Sequence, residues 1–181
     1  MIKKNKAMQR LILLMLISAI PLIAGCSTTR TVTTGSSTAG DLYSVFRSLE
    51  GNWQSASPGS GMPPSTVNYR TIANGSAVVE TVFAGTPHEM ISVIYLDGDQ
   101  LRMTHYCAAR NQPHLYAKMI ADDSVLFVTD YVSNHDDPAE VYMGEARWTF
   151  SDKDNLTTNW WSFQDGKSGE PMVFNMTRLP D

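Results

Sequence analysis

The sequence predicts an all-β domain, an antiparallel meander of about ten strands closed into a barrel, introduced by one short helix. Two observations carry this expectation. From Trp53 onward, apolar and polar residues alternate with period two in ten separate runs rich in β-branched and aromatic side chains. Turn formers separate the runs, and no segment of helical period interrupts them.

The helix comes first. Leu42, Val45, Phe46 and Leu49 fall at i, i+3, i+4 and i+7, with Asp41 as the expected N-cap and Gly51 as the stop. The strands then follow at Trp53–Ser55, Thr66–Ile72, Ala77–Phe83, Met90–Leu96 and Gln100–Cys107. Leu115–Ile120, Val125–Val132, Val141–Phe150, Leu156–Phe163 and Met172–Leu179 complete the series. Asn74-Gly75, Asp97-Gly98, Asp122-Asp123 and Asp165-Gly166 supply hairpin chemistry between neighbours. Short turns make successive strands antiparallel, and closure removes the exposed edges that so long a meander would leave. A β-sandwich shows the same alternation and is the structural competitor.

Ahead of the domain, residues 1–10 are basic and polar, and residues 11–24 are apolar apart from Ser18 and Pro21. That is a charged region followed by an apolar run of signal-peptide length, shorter than the roughly 20 residues of a membrane span. The run ends in Leu22-Ile23-Ala24-Gly25-Cys26. This resembles the lipobox of bacterial lipoproteins, which implies cleavage after residue 25 and acylation of Cys26. Several acyl chains anchor stably where one is marginal. Ser27 follows the cysteine, and by the lipoprotein rule this implies an outer-membrane protein facing the periplasm. Residues 26–40 then form the lipidated cysteine and a tether, with Ser, Thr or Gly at 11 of the 14 positions from Ser27 to Gly40. As a flexible coil it reaches on the order of 20 Å, and residues 41–181 are the barrel domain.

The charge balance narrows the partners. The full chain carries −4, but residues 1–25 hold four of its basic side chains and no acidic one, so the remainder has 10 basic and 18 acidic side chains. A net charge of −8 argues against nucleic acid, whose phosphates need a positive footprint.

Gly51-Asn52-Trp53 resembles the Gly-x-Trp opening of the calycins, the group of lipocalins and fatty-acid-binding proteins. With the preceding helix, the long run of strands and the late Arg178, the domain is similar to uncharacterised lipocalin-like barrels of bacteria. The resemblance implies that Trp53 closes one end of the barrel under a cation–π contact from Arg178. It also implies an interior for a small apolar or amphipathic ligand. Some small bacterial barrels of this kind hold haem through a late histidine, but the last histidine here is His135, so no cofactor is expected.

The densest run of chemically capable residues is His105 to His114. His105 and Cys107 share a strand face and admit a thiol–imidazole pair, part of a metal site, or a core histidine beside a small buried thiol. Three or four ligands are needed for zinc, and only His114 is near in sequence, so no metal is expected. Asn111-Gln112-Pro113 reads as a turn, and Arg110, Asn111, Gln112 and His114 are the expected ligand-contacting rim, with Arg110 the partner for an anionic head group. The acidic loop Asn134–Glu140 lacks the Gly and Glu of an EF-hand loop. Signatures of serine hydrolases, P-loops and dinucleotide-binding folds are absent from the sequence. Ligand sequestration without covalent chemistry is therefore the expected role, ahead of a Cys107/His105 enzyme and of an interaction lipoprotein with a filled barrel.

Overall fold

In the computed structural model, residues 37–56 and 64–180 are described. The lipobox, Cys26 and most of the proposed tether lie outside them. The one α-helix among the described residues, α1, spans Ala39–Ser48. Its N-cap is Thr38 rather than Asp41. The Thr38 hydroxyl accepts from the Asp41 N–H, while the Asp41 carboxylate accepts from the Thr38 N–H at 2.9 Å, a reciprocal capping box. Asp41 therefore serves the same helix end from its third position.

Eleven strands follow among the described residues: β1 Gly51–Ser55, β2 Ser65–Ile72, β3 Ala77–Val82, β4 Met90–Asp97, β5 Gln100–Tyr106 and β6 Gln112–Ala121. β7 is Ser124–Ser133, β8 Tyr142–Phe150, β9 Asn155–Gln164, β10 Lys167–Ser168 and β11 Met172–Arg178. All ten expected strands are present, and β10 is a two-residue addition hydrogen-bonded to the end of β9. Consecutive strands pair antiparallel from β1 to β9, and β11 then pairs with both β9 and β1. The ring is complete, so the fold is a closed ten-strand barrel and not a sandwich.

Gln112 and Pro113 belong to β6, not to a turn. Proline is tolerated there because β5 pairs with β6 only from His114 onward, so the missing N–H faces no ladder partner on that side.

The two barrel ends differ. At one end α1 rests on β4 and β5, and the Tyr43 hydroxyl donates to the Gly75 carbonyl in the β2–β3 turn at 2.8 Å. Phe46 is fully buried and meets Phe127, Trp148 and Phe150 edge-on, with ring centroids 5.6 to 6.0 Å apart. Leu42, Trp53, Tyr69, Ile94, Leu101 and Leu115 fill the space around these rings. This half is a packed core.

The contact expected from the Gly-x-Trp opening is present at the same end. The Arg178 guanidinium lies 4.3 Å from the centroid of the Trp53 ring. It also donates to the Ser48 and Glu50 carbonyls at 2.9 and 2.8 Å, so it satisfies orphan acceptors at the C-terminus of α1. Gly51 adopts φ +126°, a conformation L side chains rarely take, and a Cβ there would stand 3.4 Å from the guanidinium.

The opposite end is open. It is formed by the Phe83–Glu89 connection, the Cys107–Asn111 connection and the start of β8. At Gly144 the β8–β9 ladder carries a register shift, and a Cβ would run into the Phe163 ring.

Candidate functional site

The site follows from the register of four neighbouring strands. Tyr69 on β2 stands opposite Glu80 on β3, Glu80 opposite Ser92 on β4, and Ser92 opposite His105 on β5. All four side chains are 2% exposed or less, so one continuous polar row crosses an otherwise apolar barrel interior. The row is internally bonded. The Tyr69 hydroxyl donates to Glu80 Oε1 at 2.6 Å and accepts from the Trp148 indole N–H at 3.1 Å. The Ser92 hydroxyl meets His105 Nδ1 at 3.0 Å and neighbours Glu80 across the β3–β4 ladder.

Two atoms of the row are left over. Glu80 Oε2 and His105 Nε2 are inaccessible to solvent and have no hydrogen-bond partner. An unpaired buried polar atom costs roughly 1 to 3 kcal/mol, so two in one place mark a site that holds something or stores strain. Burial moves both groups toward neutrality. It raises the Glu80 carboxyl above its ordinary value and depresses the His105 imidazole to about 4. The Tyr69 phenol is pushed well up, first by burial and then by the adjacent Glu80.

Both leftover atoms belong to residues lining an internal cavity of about 40 Å³, whose other walls include Val67, Val82, Thr158, Trp160 and Met176. Trp160 stacks obliquely on His105, with ring centroids 4.7 Å apart. Phe83, Met90, Met143 and Met172 line this cavity and also a wider pocket of about 560 Å³ at the open end. Three flexible thioethers and one ring thus form the throat between them, a lining that can reshape around an occupant. Phe83 adopts φ +55°, costly for a bulky residue. Its carbonyl accepts from the Thr86 N–H and hydroxyl, which fixes that bend, and its ring meets Phe174.

His105 and Cys107 both face these spaces, His105 the inner cavity and Cys107 the outer pocket. Their hydrogen bonds do not join them. His105 Nδ1 is engaged by Ser92, and Cys107 Sγ accepts from the Ala109 N–H at 3.5 Å. Burial raises the thiol, the opposite of nucleophile activation.

The four expected rim residues do not converge, and none of them lines either pocket. Asn111 is buried, donating to the Val141 carbonyl at 2.9 Å. Arg110 takes a left-handed conformation, and its carbonyl accepts from Asn134. Gln112 opens β6, half-buried. His114 is turned toward the β5–β7 side, stacked on Tyr131 at 4.1 Å and bonded to Thr104 and Ser133. In the acidic loop, His135 Nε2 approaches the Glu140 carbonyl and its ring rests on Tyr142. Among the described residues, no three His, Cys, Asp or Glu side chains gather as a metal site.

Glu80 is the member of this buried row with an unpartnered carboxyl oxygen, and sequence reasoning missed it along with Tyr69 and Ser92. Its signal is the spacing Val78, Glu80, Val82, which puts a carboxyl on the inward phase of a strand otherwise rich in valine. No protein-family model matches the chain, and no curated protein matches it.

Proposed function

We propose that the barrel sequesters a small amphipathic molecule, entered through the open end, with its polar tip at Glu80 and His105 and its apolar part in the methionine-lined throat. One observation carries the reading: an outer pocket and an inner cavity share four apolar lining residues, and two residues walling the inner one each bury a polar atom without a partner. The packed half around Phe46 and Trp148 is then the floor that fixes the depth of insertion. The environmental probe N-phenyl-1-naphthylamine is expected to brighten and saturate at about one molecule per chain. Met143→Trp, which fills the throat, is expected to weaken it at least tenfold. A wild-type protein that leaves the probe dark removes the proposal.

The lipobox resemblance supports placing this carrier on a membrane, held by acyl chains on Cys26 and facing the periplasm from the outer membrane. The Ser/Thr-rich stretch after it supports a tether that keeps the open end free to exchange its ligand with the bilayer or the surrounding solution. A palmitate analogue is expected to label the wild type and not Cys26→Ala. An unlabelled wild type, or label retained in the variant, overturns the anchor.

A further inference from the structure

We infer that the inner cavity is a receptor for the amino end of an aliphatic amine, which enters as an ammonium and places its hydrogens on Glu80 and His105. This inference rests on the carrier reading and specifies its ligand.

Proton bookkeeping along the row supports it. Ser92 has one hydroxyl hydrogen. When that hydrogen turns away from His105, toward the neighbouring ionised Glu80, Ser92 Oγ accepts from His105 Nδ1–H, and His105 Nε2 is then a bare acceptor. Glu80 Oε2 is an acceptor in the same state, since Tyr69 already donates to Oε1. With Glu80 ionised, both leftover atoms therefore seek donors. An ammonium offers three, and the buried Thr158 hydroxyl on the cavity wall can take the third. A hydroxyl head offers one donor, and a carboxylate offers none.

Charge points the same way. The residues lining the inner cavity include a carboxyl and no lysine or arginine. An anionic head would meet Glu80 with nothing to compensate it, whereas an ammonium brings the missing positive charge to a buried carboxylate. The cavity, about 40 Å³, has the scale of a head group and its first carbons, so the remaining chain must leave past Met90, Met143 and Met172. Chain length is thus open-ended while head-group chemistry is not. Without residues 1–25 the chain carries −8, which also raises the local concentration of cations.

Octylamine, octanol and octanoate share one chain and differ only at the head. Titrated into the purified protein at pH 7 with tryptophan emission as the readout, octylamine is expected to bind at least tenfold tighter than octanol and still tighter relative to octanoate. Glu80→Gln is expected to weaken octylamine at least tenfold and leave octanol within about twofold. Octanol or octanoate binding as tightly as octylamine overturns the inference and leaves the carrier reading standing. So does an unchanged octylamine affinity in a folded Glu80→Gln. Should that variant not fold, the wild-type ranking decides alone. Failure of all three ligands to bind overturns both readings.

Discussion

Phe46→Ala is expected to lower the free energy of unfolding by about 3–5 kcal/mol, the cost of removing a fully buried phenylalanine and leaving a cavity. The loss falls at the upper part of that range because the site has little freedom to collapse. Phe46 is the side chain through which α1 fills the closed end of the barrel, and its ring meets three aromatic rings carried by β7 and β8. Those strands are held in a continuous ladder and cannot move inward to fill the gap. The neighbouring anchors of α1, the Tyr43 hydroxyl on Gly75 and the Arg178 guanidinium on the Ser48 and Glu50 carbonyls, remain in place. The helix should therefore stay docked over a void. Urea unfolding monitored by tryptophan emission measures the loss directly, with a fall in melting temperature on the order of 10 °C. A loss below about 1 kcal/mol would mean that α1 does not hold this end together. Probe binding at the opposite end is expected to change less than twofold, since none of the three rings that meet Phe46 lines the inner cavity or the throat.

The strands were legible because two independent signals agreed at each one, period-two alternation within the run and turn chemistry at its ends. β10 has neither. Lys167-Ser168 is too short to alternate, and it exists only because the chain runs beside β9 before Gly169-Glu170-Pro171 interrupts it. The N-cap was misplaced because Thr38 sits in a run of Ser, Thr and Gly whose members look interchangeable until Asp41 answers one of them. Closure depends on β11 meeting β1 across more than a hundred residues of chain, and no local pattern encodes that pairing.

The site was legible in its walls but not in its chemistry. The aromatic and thioether residues of the last three long strands suit an apolar interior, and Met143, Met172, Met176, Trp160 and Phe174 line the inner cavity, while Trp148, Trp161 and Phe163 do not. The polar residues expected at the rim were read from their density between His105 and His114. Burial alternates without a break from Asn111 to Ala117, and His114 falls on the less buried phase, away from the interior, a phase that cannot be counted from His105 across the intervening connection. Glu80 was overlooked for the reverse reason. A lone carboxyl in a valine-rich strand looks like its solvent-facing member, and only its phase relative to Val78 and Val82 shows otherwise. Its significance emerges when Ser92 and His105 fall into register beside it, a long-range fact.

The same row predicts an unusual pH dependence of stability. In the unfolded chain His105 titrates near the free imidazole value of about 6.5, and in the folded chain near 4. Glu80 is displaced the other way, upward from 4.5. Just above that ordinary carboxyl value, the unfolded chain holds a proton on His105 and none on Glu80. The folded chain holds one on Glu80 and none on His105. The counts balance, so the pair contributes little slope. Glu80→Gln removes the folded-state proton. The unfolded variant then binds one proton more between 4 and 6.5, through His105, so its own stability rises with pH by about 1.4 kcal/mol per unit there, and relative to wild type the rise runs from 4.5 toward the raised folded-state value of Glu80. His105's contribution is complete above pH 6.5 and lost toward pH 4, roughly 3 kcal/mol over the window. His105→Phe leaves Glu80 alone, so its own stability falls as pH rises from 4.5 toward the raised folded-state value, and relative to wild type it falls between 4 and 6.5. His114, also lowered by burial, tilts all three proteins alike, and Asp41 and Asp152, held low by hydrogen bonds, act below the window. Urea unfolding of the three proteins in steps from pH 4.5 to 7 separates the slopes. Parallel curves for wild type and Glu80→Gln would mean that Glu80 carries no extra proton when folded. The two leftover atoms would then face the cavity with charge already present, and the balance between carboxyl and imidazole would not govern the site.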